Sequence, residues 1–169
     1  MNIALTGTPG TGKTSLSRKL DWNLVSINDY YSDICNGKDE EDNWLIDLDK
    51  LNEFIIVETH SNTIFEGHIA HFLKKINMVV VLRCQPDKLK ERLASREYSK
   101  EKIEENMEAE ALNIITEEAI ELYGKKAVIE LDTTNMTIER TVKKLKDILN
   151  GNIKSNKRID YSETIMDWY

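Results

Sequence analysis

A phosphate-binding loop near the start of the chain limits the folds open to it. Residues 7–14 read Gly-Thr-Pro-Gly-Thr-Gly-Lys-Thr and match the pattern G-x-x-x-x-G-K-[ST]. A strand must deliver such a loop and a helix must leave it, so that backbone amides and the helix dipole converge on a polyphosphate. The apolar run Ile3-Ala4-Leu5 suits the strand, and residues 15–20 suit the helix.

The residue types within the loop suit contact with phosphate groups. Gly7, Gly10 and Gly12 allow positive φ and let the backbone approach an anion without a clash at Cβ. Lys13 supplies charge for the β- and γ-phosphate oxygens, and Thr14 offers a hydroxyl to Mg²⁺. Because both flanks fit, we predict a nucleotide site. A chance match, or nucleotide binding without turnover, is the alternative.

Length and charge restrict the other possibilities. The 169 residues, 40% of them apolar, suffice for one core, so we expect a single domain over residues 1–169. A net charge of −7 argues against a general nucleic-acid binder, because such proteins neutralise many phosphates. Cys35 and Cys84 form no C-x-x-C pair, and the sequence shows no signal segment and no long apolar run. We expect a reduced cytoplasmic protein with no membrane partner and no strong direct binding of nucleic acid.

Strand-like and helix-like stretches alternate along the chain, which predicts an α/β fold with a parallel β-sheet core flanked by helices. The predicted strands cover residues 2–6, 23–27, 63–65, 78–82 and 127–131. The predicted helices cover residues 86–96, 99–123 and 137–149. Pro86 suits a first helical turn, Ser99 suits an N-cap, and Gly124 suits a helix end.

Three segments are less regular. Residues 54–57 suit a strand, but a hairpin with residues 63–65 would not fit a parallel sheet, so we predict a helix over 49–58. Residues 28–43 are polar and irregular. The tail from 151 to 169 is a packed strap or a mobile arm, and the sequence leaves both open.

Polar residues directly after a predicted strand are the first candidates for chemistry. Glu66 and His68 follow the strand at 63–65, at the carboxyl end where α/β sheets place ligands. Glu66 is suited to hold Mg²⁺ through water, and His68 to orient a nucleophile or donate to a phosphate. The alternative is a capping carboxylate and a surface histidine. His71 lies three residues on, but no third ligand is evident, so we predict no histidine metal site.

Arginines after the strand at 78–82 are the second group of candidates. Arg83 follows that strand, and Arg92 and Arg96 lie one helical turn apart. Phosphoryl transfer gains mainly from positioning and from cations that meet charge on the transferring group, and arginines on a segment that closes supply both. The alternative is a solvated helix face in which Glu91 and Glu97 pair with the arginines.

Several further motifs stand beside the loop at 7–14. They are Ile27-Asn28-Asp29, Ile46-Asp47-Leu48-Asp49-Lys50-Leu51, Glu66-Gly67-His68, Val81-Leu82-Arg83, Glu91-Arg92-Leu93-Ala94-Ser95-Arg96-Glu97-Tyr98 and Glu105-Asn106. Together these motifs resemble the adenylate kinase isoenzyme 6 family, whose eukaryotic members include the coilin-interacting nuclear ATPase. The resemblance covers roughly residues 1–150.

The resemblance implies a nucleoside monophosphate kinase fold with a monophosphate-binding segment at about 28–51 and a short lid at about 97–107. It implies phosphate transfer from ATP to AMP or a related monophosphate with Mg²⁺, together with ATPase activity. It also implies a role in late small-subunit ribosome and rRNA maturation, with a small-subunit platform protein as partner. By position, the ATP phosphates would be bound by Gly10, Gly12, Lys13, Thr14, Ser15 and Arg96. Asn28, Asp29 and Asp47 would face the second substrate.

The sequence departs from that family at two points. An arginine expected shortly after the Asn-Asp pair is missing, since no arginine occurs between Lys19 and Arg83. Only Lys38 and Lys50 are available in the segment, and a lysine cannot form the bidentate contact. Glu66 stands where eukaryotic relatives have Asp. A nucleotide-gated assembly factor with little kinase activity therefore stays open, as does a small-molecule kinase of the shikimate type.

Overall fold

The computed structural model describes residues 1–55, 62–153, 157–166 and 168. Its strands are β1 (Asn2–Thr6), β2 (Asn23–Ser26), β3 (Cys35–Lys38), β4 (Trp44–Ile46), β5 (Thr63–Glu66), β6 (Met78–Arg83) and β7 (Val128–Asp132). Its helices are α1 (Lys13–Ser17), α2 (Tyr31–Ile34), α3 (Leu48–Phe54), α4 (Pro86–Ala94), α5 (Lys100–Ala111), α6 (Ile114–Tyr123), α7 (Ile138–Leu149) and α8 (Ser162–Met166). Short 3-10 helices cover Ile27–Tyr30 and Ala70–Phe72.

Five strands form the predicted parallel sheet, in the order β2-β5-β1-β6-β7. In this register Leu5 of β1 lies beside Glu66 of β5, and Thr6 lies beside Val81 of β6. The chain leaves β1 toward one edge of the sheet and later adds β6 and β7 on the other side. The carboxyl ends of β1 and its neighbours therefore border the crevice where α/β proteins bind ligands.

Two apolar clusters cover the two faces of the sheet. Successive strand residues point to opposite faces, so Ala4 joins one cluster while Ile3 and Leu5 join the other. Helices α3 and α6 cover the first face, and α1 and α7 cover the second. Burial on both faces explains why β6 reads as a continuous apolar run.

The predicted single helix over 99–123 is wrong, because the structure has two helices there. Helix α5 ends at Ala111 and α6 begins at Ile114. Asn113 between them has a φ of 58°, which Asn tolerates better than most residues. Its Oδ1 accepts a hydrogen bond from Nη2 of Arg83 at 2.5 Å, which fixes the break.

Residues 28–43 are more ordered than predicted. They contain α2 and the strand β3, which pairs with β4 as an antiparallel hairpin. The carboxylate of Asp39 holds the turn by accepting from the amides of Glu41 and Asn43, both at 2.9 Å. The helix predicted over 49–58 begins one residue earlier, at Leu48, and ends at Phe54, because Ile55 is already extended. The predicted end was therefore wrong, and residues 56–58 lie outside the described residues.

The described part of the C-terminal tail packs on the rest of the chain. The amide of Ile159 donates to Oε2 of Glu130 at 3.0 Å, and its carbonyl accepts from Nη1 of Arg83 at 3.2 Å. Trp168 packs against the apolar cluster between α4 and α5. These contacts favour the packed strap over the mobile arm for residues 157–166 and 168. No helix in the described part of the chain has the length and apolar content needed to cross a membrane.

Candidate active site

The phosphate-binding loop runs from the end of β1 to the start of α1 with the predicted backbone conformation. Gly7, Gly10 and Gly12 have positive φ values of 137°, 89° and 103°. A Cβ on Gly7 would lie 2.4 Å from the carbonyl oxygen of Leu82, so glycine is required where the loop passes β6. Helix α1 begins directly after Gly12, and the amides of its first turn have no carbonyl partner within the helix.

The ammonium group of Lys13 lies across the loop. Its Nζ donates to the carbonyl oxygens of Gly7 at 2.6 Å and Thr8 at 3.1 Å. Burial lowers the pKa of Lys13 to about 8, while the carboxylates of Glu66 and Glu110 partly oppose this effect. Lys13 is therefore a cation at neutral pH in a partly desolvated position, where its charge acts strongly on an anion.

Glu66 is a buried carboxylate at the end of β5 and is 2% exposed. The hydroxyl of Ser26 donates to its Oε1 at 2.8 Å, and the hydroxyl of Thr14 lies 3.3 Å from both carboxylate oxygens. These are hard oxygen groups, and Mg²⁺ in nucleotide sites uses one or two carboxylates together with substrate phosphates. The chemistry of Thr14 and Glu66 therefore fits the predicted magnesium site.

His68 faces the same cavity as Lys13 and Glu66. Its Nδ1 lies 2.9 Å from the hydroxyl of Tyr31. Burial, together with the ammonium groups of Lys13 and Lys102, lowers the pKa of His68 to about 4. The imidazole is therefore neutral at pH 7, with one donor and one acceptor nitrogen.

His71 has different partners from His68. Its Nδ1 lies 3.1 Å from the hydroxyl of Thr6, and its Nε2 lies 3.1 Å from Oε2 of Glu118. Within the described ranges, no group of three His, Cys, Asp or Glu side chains could hold a metal ion.

Arg92 in α4 and Arg96 just after that helix occupy different places. Arg96 lines the main cavity beside the phosphate loop. Arg92 donates through Nη1 to the hydroxyl of Thr133 at 3.1 Å and through Nη2 to its carbonyl oxygen at 2.7 Å. Both arginines border a second cavity of about 280 Å³, which Gly10 and Gly12 also line. Arg92 therefore anchors the loop after β7, and its role at the transferring group stays a prediction.

The residues predicted to bind the second substrate also lie in different places. Asn28 lines the main cavity. Asp47 is the N-cap of α3, where its carboxylate accepts hydrogen bonds from two first-turn amides. Asp29 lies exposed in the first 3-10 helix. Among the described residues, the cavity lining includes neither Asp29 nor Asp47, and the substrate-binding roles of all three residues stay predictions.

The main cavity has a volume of about 640 Å³, within the range of small-molecule sites. The phosphate loop, Glu66 and Arg96 border one part of it. The β3–β4 hairpin contributes Asn43 and Trp44, and α5 contributes Lys102 and Asn106. The sequence analysis placed these four residues in the segments at 28–51 and 97–107 but assigned none of them a role. It also missed Ser26, although the parallel register of β2 and β5 places Ser26 beside Glu66.

Arg83 belongs to a buried network behind the phosphate loop. It is 1% exposed, its Nε donates to Oε1 of Glu110 at 2.7 Å, and its Nη1 donates to Glu130. The hydroxyl of Thr8 donates to Oε2 of Glu110 at 2.5 Å, so the network reaches the loop. The guanidinium of Arg83 is thus already paired with two buried carboxylates. Grouping it with Arg92 and Arg96 as a candidate ligand cation was therefore wrong.

Comparison with known proteins places the chain in a family. Residues 3–113 match a family described as an AAA domain. A Thermococcus kodakarensis protein named "Putative adenylate kinase" is 39% identical, with 96% of this chain and 94% of that protein covered. A protein of the same name from Archaeoglobus fulgidus is also 39% identical, with 99% and 92% covered. The chain belongs to this family of adenylate kinase-like proteins.

Solved structures show the same architecture at low sequence identity. Shikimate kinase from Acinetobacter baumannii has a TM-score of 0.60 at 14% identity, covering 89% of this chain and 93% of its own. Deoxyadenosine kinase from M. mycoides has a TM-score of 0.54 at 16% identity, covering 89% and 100%. The predicted phosphate-loop nucleoside monophosphate kinase fold of this adenylate kinase-like protein is confirmed. The narrower resemblance to isoenzyme 6 stays a prediction.

Proposed function

We propose that this protein transfers the terminal phosphate of ATP to AMP or a related nucleoside monophosphate, with slow ATPase activity. The observation that carries the proposal is one continuous cavity with a phosphate loop at one part and an aromatic, amide-lined wall at another. Together with the smaller cavity beside the loop, it offers space for two nucleotides whose phosphates would meet near Lys13 and Glu66. The names of the 39% identical relatives support the same reaction.

The ATP end is assigned to the phosphate loop and the smaller cavity next to it. Loop amides and Lys13 hold the triphosphate, and Arg96 neutralises charge on the moving phosphoryl group. Thr14 and Glu66 would hold Mg²⁺, which when bound neutralises phosphate charge. The smaller cavity, bordered by Gly12, Arg92 and apolar Met136 and Ile138, suits the purine ring.

The reaction needs positioning more than proton transfer. An acceptor phosphate oxygen is already an anion, so it attacks the γ-phosphorus without a general base, and the bond from that phosphorus to the β–γ bridging oxygen breaks. ADP and the acceptor diphosphate result. A neutral His68 fits this chemistry, because with Tyr31 it can donate a hydrogen bond that orients the acceptor.

Assaying purified protein with ATP, Mg²⁺ and a panel of acceptors tests the proposal. We expect AMP or another monophosphate to give acceptor-dependent product well above ATP hydrolysis alone. Shikimate should give none. Turnover of shikimate and of no nucleotide would replace the proposal with the small-molecule kinase.

Glu66→Gln is expected to raise the Mg²⁺ concentration needed for half-maximal turnover by about 10- to 100-fold, because it removes the charged oxygen donor. Titrating Mg²⁺ at fixed ATP measures this change. Glu117→Gln, an exposed change on α6, is the matched control and should leave the requirement unaltered. An unchanged requirement in Glu66→Gln would remove Glu66 from the metal site.

Lys13 is expected to take up a proton when ATP binds, and this uptake increases as the pH rises through 8. The pKa of Lys13 is about 8 in the free protein, and a bound polyphosphate must raise it. The affinity for ATP is therefore greatest well below pH 8, where Lys13 is already protonated, and falls as the pH rises through 8. Calorimetry in two buffers of different ionisation enthalpy should show a proton uptake from Lys13 that increases between pH 7 and pH 8.5. Lys13→Arg, which stays charged, should show none. Equal uptake by both proteins would contradict the assignment.

One observation favours a second candidate function. The absence of arginine between Lys19 and Arg83 suits weak monophosphate binding and a nucleotide-gated assembly ATPase whose output is protein binding. The roles in small-subunit rRNA maturation and in binding a platform protein rest on the isoenzyme 6 resemblance. Pulldown of ribosomal proteins with and without ATP, beside the acceptor assay, separates this candidate from the kinase.

A further inference from the structure

The acceptor of the proposed kinase needs a cation that the 28–51 segment does not supply. Lys38 is held by Asp42 at 2.8 Å and lies over the ring of Trp44, 4.5 Å from its centroid. Lys50 donates to Oδ1 of Asn36 at 2.7 Å and to the carbonyl oxygen of Cys35 at 3.1 Å. Neither lysine is among the described residues that line the main cavity.

Lys102 brings a charge to that part of the cavity from the opposite wall. Its Nζ donates to Oδ1 of Asn43 on the hairpin at 3.1 Å and lies 2.9 Å from Oε2 of Glu105 on its own helix. The cations that line the cavity within the described ranges are Lys13, Arg96 and Lys102. Because the proposed function assigns the first two to ATP, Lys102 is the one that remains for the acceptor.

The groups around Lys102 suit an anion. An ammonium has three N–H donors, and the two contacts shown by the described residues leave one. Lys102 also lines the same cavity as His68 and Tyr31. Glu105 is a carboxylate at the same place, but its side chain is 59% exposed, so water screens its repulsion of a ligand.

We propose that Lys102 binds the phosphate of the acceptor nucleotide and has the role that an arginine in the 28–51 segment would otherwise have. This inference rests on the proposed function and assigns a residue to its second substrate. Lys102 also lies in the proposed lid at 97–107, while Asn43 lies in the proposed monophosphate segment. An acceptor phosphate bound between them therefore joins both segments across the cavity.

Steady-state kinetics of Lys102→Met at saturating ATP tests the inference. The KM for AMP should rise about 10- to 100-fold, the range for losing a charged hydrogen bond, while the KM for ATP changes less than about threefold. Adenosine, which lacks the phosphate, should inhibit against AMP with an unchanged Ki. Lys102→Arg should restore the KM for AMP to within about threefold, since a guanidinium also binds phosphate.

Lys100→Met is the matched control, because Lys100 lies on the same helix with its side chain 85% exposed. It should leave both KM values unchanged. If the wild-type protein phosphorylates AMP and Lys102→Met keeps its KM, this inference alone fails. An equal loss in Lys100→Met, or a loss for ATP or adenosine equal to that for AMP, also overturns it. Absence of AMP phosphorylation by the wild type overturns the proposed function and this inference together.

Discussion

Lys13→Ala is expected to lower ATP turnover by at least about a thousandfold, the largest effect of any single change in the proposed site. The ammonium lies across the phosphate loop, bonded to the carbonyl oxygens of Gly7 and Thr8, where a partly desolvated charge acts strongly on a phosphate. Alanine keeps the helix that follows the loop, since it is the best helix former, so the fold should persist.

The measurement is initial-rate turnover with and without AMP, beside circular dichroism to verify folding. Lys19→Ala is the control, because Lys19 is exposed just beyond α1 and should retain full activity. Near wild-type hydrolysis or transfer by folded Lys13→Ala would place the chemistry elsewhere.

Arg83→Met is expected to destabilise the protein by about 3–5 kcal/mol, because it removes the buried cation that Glu110 and Glu130 share and leaves Arg158, 3.5 Å from Glu130, as a half-exposed substitute. Glu110 and Glu130 are each 2% exposed and both bind the guanidinium. Thr8 donates to Glu110, so the same change should also loosen the phosphate loop and weaken ATP binding.

Urea unfolding measures the loss, and Arg140→Met, an exposed arginine on α7, is the control that should change stability by less than about 0.5 kcal/mol. A loss below about 1 kcal/mol for Arg83→Met would show that the network contributes little.

Local patterns were sufficient to predict the sheet and the loop. The loop glycines, the apolar strands and the cap at Ser99 each carry their signal in neighbouring residues. Glu66 was found because it directly follows a strand, and the structure places its carboxylate 3.3 Å from the Thr14 hydroxyl.

Long-range partners explain what local patterns missed. The helix break at Asn113 is stabilised by Arg83, which lies 30 residues away in sequence. The apolar residues keep their helical spacing across the break, so the local pattern predicted one helix. Arg83 itself resembles a functional arginine until Glu110 and Glu130 are known to surround it. Lys102 lines the cavity beside Asn43, which lies 59 residues away in sequence. No local pattern connects this lysine with the 28–51 segment.

The fate of the terminal phosphate of ATP tests the central claim most directly. Purified protein is incubated with Mg²⁺, AMP and ATP labelled at the γ-phosphorus, and the labelled products are separated. The account predicts label in the ADP formed from AMP, dependent on AMP and lost in Lys13→Ala. Label that appears only in inorganic phosphate, at any AMP concentration, would contradict it.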